Sequence, residues 1–140
     1  MTKENVIELL DNKSKNEIIA EINKTENSEI LHLIADNYNW DNGFEIPNSI
    51  IDNKYCDLGT ALMLFYDADG YSVLENKKEL ENTDLKDWVA FIAKLLEKIS
   101  SDEFTKKHIK YVPPLSKVQI FKMKRYTSID RIFIDGTDGE

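Results

Sequence analysis

Between Cys56 and Gly70 the chain reads CDLGTALMLFYDADG, and no other stretch constrains its fold as tightly. Leu58, Leu62 and Phe65 make one stripe at helical spacing; Ala61, Leu64 and Ala68 make a second beside it. A helix that is apolar on more than one face must be covered from several sides. Gly59, Thr60 and Ala61 are small enough to let a neighbouring helix approach closely. Asp57 is placed to cap the first turn, where a carboxylate accepts from free amides. Asp69-Gly70 is placed to end the helix, with glycine supplying the left-handed terminal residue. The pattern predicts a central buried helix over 57–68, with the remaining elements packed around it.

The aspartates bracketing this run also raise a metal-binding alternative. Aligning Gly70 with the invariant glycine of an EF-hand loop puts Asp69 and Asp67 at the fifth and third positions. The first position is then Phe65, which cannot ligate. The twelfth is Asn76, where a bidentate Glu is required, and Glu75 misses by one. The carboxylates read as helix ends, and no metal is expected.

Helical signals surround the central run. Residues 3–11 place Val6, Leu9 and Leu10 on one side, and S-K-N-E at 14–17 forms a capping box ahead of Ile18, Ile19 and Ile22. A third helix is predicted to start near Asn27 or Ser28 and to bury Ile30, Leu31, Ile34 and Tyr38, with His32 as an ordinary structural residue. In the loop NWDNGFEIP, Asn42-Gly43 marks a turn. Trp40 and Phe44 are expected to pin that loop to the core. Pro47 suits the first turn of a short helix anchored by Ile50 and Ile51. Asp84 is expected to cap a helix running to about Ile99, the strongest periodic signal in the chain, with Trp88 in its core stripe. Residues 101–111 are expected to form a further short helix, and Pro113-Pro114 an extended break. SKVQIFKMKRY (116–126) fits either an amphipathic helix carrying Val118, Phe121 and Met123 or an edge strand. RIFID (131–135) alternates like a short strand, and GTDGE reads as a frayed tail.

The expected fold is therefore all-α or mostly α. It is one multi-helix bundle over 1–135 around the helix at 57–68, with a short C-terminal β segment left open and a flexible tail at 136–140. The length suits this, since about 140 residues bury roughly 68–70% of the unfolded surface without staples. Only 5 Gly and 3 Pro disfavour a turn-rich β-sandwich. The single cysteine, Cys56, excludes an internal disulfide and suits a reducing compartment. MTKENVIELL lacks a long apolar core and carries Glu4 and Glu8, so no signal peptide is expected. No apolar run approaches the ~20 residues that span a bilayer. A soluble, cytoplasmic protein is expected.

The net charge of −8 is unevenly spread. Residues 1–105 hold 22 acidic and 10 basic groups, a balance of −12; residues 106–125 hold seven basic groups and no acidic one. An acidic body disfavours non-specific contact with nucleic-acid phosphates and favours encounter with a basic partner. The basic segment carries Tyr111 and Phe121 with Tyr126 just beyond, which permits nucleic-acid binding but sits against that acidic body. Phosphate-cradling glycine loops, Cys/His ligand clusters and G-x-S-x-G are all missing from the sequence. Nothing local arranges Cys56 and the two histidines as nucleophile and base.

The string YNWDNGFEIPNSIIDNKYCDLGTALMLFYDADGY, residues 38–71, resembles the bacterial family known as domain of unknown function 4274. Asn39, Trp40, Asp41, Gly43, Glu45 and Pro47 match its N-W-D-x-G-x-E-x-P loop. Cys56, Asp57, Leu58, Thr60, Ala61 and Leu62 match its C-D-L-x-T-A-L helix. The resemblance extends less sharply through Trp88 to the Pro-Pro segment, about two thirds of the chain. It implies no established activity and no catalytic residue. Small acidic bacterial proteins of such families resemble immunity proteins of toxin systems, which implies a protein-binding role.

Charge and resemblance together lead to an expected function: a non-catalytic protein-binding module, an immunity protein neutralising a basic toxin such as a nuclease. Its candidate partner-binding residues are Trp40, Asp41, Glu45, Asp67 and Asp69, provided the loop and the helix end meet. The alternative is an enzyme or small-ligand binder with a pocket lined by Asp41, Glu45, Asp69 and His32. A structural or oligomer-forming module is a third class. No cofactor and no membrane partner are expected, and nucleic acid is disfavoured.

Overall fold

The computed structural model describes residues 1–126 and 128–139, which run through nine α-helices. These are α1 (Lys3–Asn12), α2 (Lys15–Lys24), α3 (Ser28–Asp36), α4 (Glu45–Asp52), α5 (Leu58–Asp67), α6 (Tyr71–Glu75), α7 (Lys86–Ser100), α8 (Lys117–Lys124) and α9 (Ile132–Asp135). Short 3₁₀ turns lie at Trp40–Asn42 and Lys77–Glu81. Among the described residues no strand forms; Asp57–Lys106 and Tyr111–Thr137 are isolated bridges.

Side-chain caps set several of the starts. Thr2, Ser14 and Ser116 open α1, α2 and α8 with capping boxes closed by Asn5, Glu17 and Gln119. Asn27 caps α3 by accepting from the amides of Glu29 and Ile30. Packing then joins the elements: α1 lies on α3, α2 on α4, and α3 and α7 both on α5. One core runs from Val6 to Ile134.

All eight residues from Leu58 to Phe65 are buried. Each fully buried Leu or Phe contributes about 1.5–3 kcal/mol, against a propensity cost of at most about 1 kcal/mol each for Gly59 and Thr60. Packing, not propensity, holds α5 together. The small face of α5 admits something other than a helix. A Cβ at Gly59 would collide with the carbonyl of Ile109, so glycine is needed to let the 106–109 segment cross there. At the other end the left-handed residue is Asp69, at φ +62°, while Gly70 is right-handed. Gly70 is required for space, because the Phe65 ring fills the volume a side chain would take.

Four further expectations are corrected. Residues 104–111 are extended rather than helical, because the amides of His108 and Ile109 are taken by the Asp57 carboxylate instead of by carbonyls one turn back. Asp84 does not cap α7: its own amide donates to Asn82, and the cap position falls on Leu85 with no side-chain bond. RIFID folds as α9, with the adjacent Phe133 and Ile134 both buried. Alternation alone cannot make a strand without a partner to pair with. The expected tail is held as far as it is described. Thr137 exchanges backbone hydrogen bonds with Tyr111 at 3.0 and 3.1 Å, and its hydroxyl donates to Ile109 at 2.7 Å. Residues 117–124 take the helical option, but only Met123 of α8 is buried, while Val118 and Phe121 face solvent.

Candidate functional site

The loop between α3 and α4 separates residues that build the fold from residues that are left over. Asn39 accepts from the Asp41 amide at 3.0 Å and starts the 3₁₀ turn. Gly43, at φ +91°, reverses the chain, a conformation that side chains rarely adopt. Tyr38 donates its hydroxyl proton to the Gly43 carbonyl at 2.6 Å. Burial, and then the Glu45 charge, push that phenol up to about 12, so it remains a donor. The Trp40 ring meets Tyr38, Phe44 and Phe91 edge-on at centroid distances of 5.5, 6.0 and 5.8 Å. Such edge contacts each add about 0.5–1.5 kcal/mol beyond area burial. Pro47 is buried in the first turn of α4.

Two loop residues have no such structural task. Asp41 and Glu45 are exposed and line an open cleft of about 580 Å³ with Lys13, Lys15 and Asn42, above Leu10, Ile18 and Ile46. Glu45 pairs with Lys15 across the cleft mouth. Trp40 is half-buried at the back of the same loop, pinning it as its flanking position suggests.

Asp67 and Asp69 lie elsewhere, at the end of α5. Asp67 is exposed as a residue, but partial loss of water around its carboxyl, and then the like charge of Asp36, raise it above the usual carboxylate range. Tyr111 is raised in turn by burial and by Asp67, and its ring stacks on Tyr66 at 6.3 Å. The Asp69 carbonyl accepts from the Ser72 hydroxyl. The cleft at Asp41 and Glu45 includes neither residue, so the five candidates divide into a loop group and a helix-end group.

The alternative chemistry divides the same way. His32 shares a 2.8 Å hydrogen bond with Thr60 on α5, and burial lowers its pKa against the opposing pull of Asp36 and Asp57. Cys56 is buried and burial pushes its thiol far up, which is the opposite of a nucleophilic thiolate. The small-ligand alternative needs Asp41, Glu45, Asp69 and His32 around one pocket, and the cleft that Asp41 and Glu45 line includes neither Asp69 nor His32. No group of three metal-ligating side chains occurs among the described residues. None of the described helices is long and apolar enough to cross a membrane.

Sequence reasoning undervalued Asp57. It is more than an N-cap: fully buried, its carboxylate accepts from Gly59 at 2.8 Å, His108 at 2.6 Å and Ile109 at 3.3 Å. The available signal was Asp-x-Gly at the start of an apolar helix, which marks a place where foreign backbone can approach.

No curated protein and no solved structure matches the chain. Residues 26–100, just over half of it, match the model of the family described as Domain of unknown function (DUF4274), and the chain belongs to that family.

Proposed function

We propose that this protein is a non-catalytic binding module whose acidic surface receives a basic partner protein, as an immunity protein receives a basic toxin. One observation carries the proposal: the loop spends Asn39, Trp40, Gly43 and Pro47 on its own structure and leaves Asp41 and Glu45 at the rim of an open cleft. The surrounding charge supports it. Of the 22 carboxylates in residues 1–105, ion pairs among the described residues engage Glu45, Asp52 and Asp102.

Blocking a toxin requires no chemistry, only a face that covers its active site and a few well-anchored contacts. Lys15 acts as a placeholder on Glu45. An exposed pair of this kind contributes about 0–1 kcal/mol, so a partner's arginine or lysine can take its place at little cost. Asp41 then offers a second carboxylate in the same cleft, on a turn that the Trp40 ring contacts hold against the core. The role suits the cytoplasm, where the Cys56 thiol stays reduced.

The test is affinity capture at low salt from the source cells, followed by binding and co-expression with any basic protein captured. Wild type should bind it at low salt and suppress its toxicity on co-expression. Asp41→Lys with Glu45→Lys should weaken binding at least about thirtyfold, as expected for a hot spot, while Asp67→Lys with Asp69→Lys should leave it unchanged. Full binding by the Asp41/Glu45 variant would move the site away from this cleft. Absence of any basic partner at low salt would end the binding-module proposal.

A further inference from the structure

We infer that the outer face of α8 is an interface between two copies of this chain, with Phe121 of each copy entering an apolar cleft on the other. Met123 points inward at 1% exposure, while Val118 and Phe121 are 63% and 65% exposed. At about 100° per residue, Val118, Phe121 and Arg125 fall together opposite Met123, with Lys117 and Lys124 on one flank and Lys122 on the other. The Arg125 guanidinium sits 5.9 Å from the Phe121 ring centre. This is an aromatic anchor ringed by cations, on a chain whose first 105 residues are strongly acidic.

A matching socket lies on the same chain. Leu74, Leu80, Leu96 and Phe133 line a cleft of about 330 Å³ between α6, α7 and α9, with Glu97 and Asp130 also lining it. An apolar cavity of about 150 Å³ takes a benzene ring, so a phenylalanine side chain fits with space over for Val118. Seating Phe121 there brings the Lys122 and Arg125 cations of one copy to a rim on the other that holds the Glu97 and Asp130 carboxylates and one cation, Lys77.

Knob and socket sit side by side. Lys122, Arg125 and Tyr126 line a shallow cleft with Glu75, one residue beyond Leu74 in the socket wall, and the chain continues from Ser128 to Asp130 into the socket itself. Neighbouring complementary patches allow a two-fold arrangement in which both Phe121 rings are exchanged at once, and such an interface closes at two copies. It shares no residue with the Asp41–Glu45 cleft, so either proposal can fail alone.

Sedimentation velocity on the full chain at rising concentration tests this. A reversible dimer is expected, weakened by added salt and weakened about thirtyfold or more by Phe121→Glu. Phe121 is on the surface, so this variant should keep wild-type helicity. In a second measurement, copies carrying Val118→Cys, with Phe121 intact, are mixed with copies carrying Ser100→Cys, at the cleft wall, under copper-phenanthroline oxidation. Cross-linking between the two variants above that within either one supports the exchange. A monomer at every concentration up to the millimolar range overturns the inference, and so does a dimer indifferent to Phe121→Glu. Monomeric protein that binds a single-stranded oligonucleotide only while Phe121 is intact also overturns it, assigning α8 to nucleic acid.

Discussion

Asp57 shows how one side chain can organise distant backbone. Its two oxygens serve three amides, two of them more than fifty residues away, in a place closed to water. Hydrogen bonds to a charged acceptor contribute about 1.5–3 kcal/mol each and leave costly orphans when lost. Asp57→Asn, which keeps the shape but only one acceptor oxygen, should destabilise the fold by about 2–4 kcal/mol in urea unfolding. His32 supplies a pH effect of definite sign. Burial lowers its pKa below the usual 6.5, so the folded state takes up a proton less readily than the unfolded chain. Its contribution is complete above pH 6.5 and is lost as pH falls below that value. The urea midpoint should therefore drop between pH 7 and pH 5.5, and His32→Gln should flatten that slope; an equal slope in the variant would place the effect elsewhere.

At the scale of elements, legibility follows where each backbone group finds its partner. α2, α3 and α5 were readable because Ser14, Asn27 and Asp57 announce starts and the apolar residues repeat every three or four positions. α7 was readable from Trp88 to Ile99 by its stripe alone, although the expected cap did not form and Leu85 sits exposed at the cap position outside the helix. The 104–111 segment was unreadable because its decisive partner, Asp57, is more than a third of the chain away. Residues 136–139 were unreadable for the same reason, since Tyr111 rather than any neighbour holds Thr137. α8 has an apolar content suggesting a buried face, yet its bulkiest residue, Phe121, points outward. A paired substitution measures the contrast between elements. Leu62→Ala in α5 should cost about 3 kcal/mol, whereas Phe121→Ala in α8 should change monomer stability by no more than about 0.5 kcal/mol.

The whole molecule carries two opposed fields: an acidic body and a basic α8 region. The candidate site was half legible at this scale. Trp40 and Asp41 belong to one turn and Glu45 to the start of α4 just after it, and Asp67 and Asp69 to one helix end, but sequence spacing carries no information about the distance between the two groups. In the proposed binding role, the acidic body would set the rate of encounter. Association with a basic partner should slow by about tenfold or more between low and high salt, with a smaller change in dissociation, as stopped-flow mixing at varied ionic strength would show.

The Asp57 clasp also bears on how the chain is made. Synthesis delivers α5 long before His108 and Ile109 exist, so a growing chain carries an aspartate at its centre with only the Gly59 amide of its three donors. That carboxylate keeps its water until the late segment arrives, and the helix bearing it cannot settle into its final burial. Fragments stopped before residue 108 should therefore be cut faster than the full chain in limited proteolysis. The fold carries its own proofreading mark, a charge that stays wet until translation has passed the point where it can be sealed.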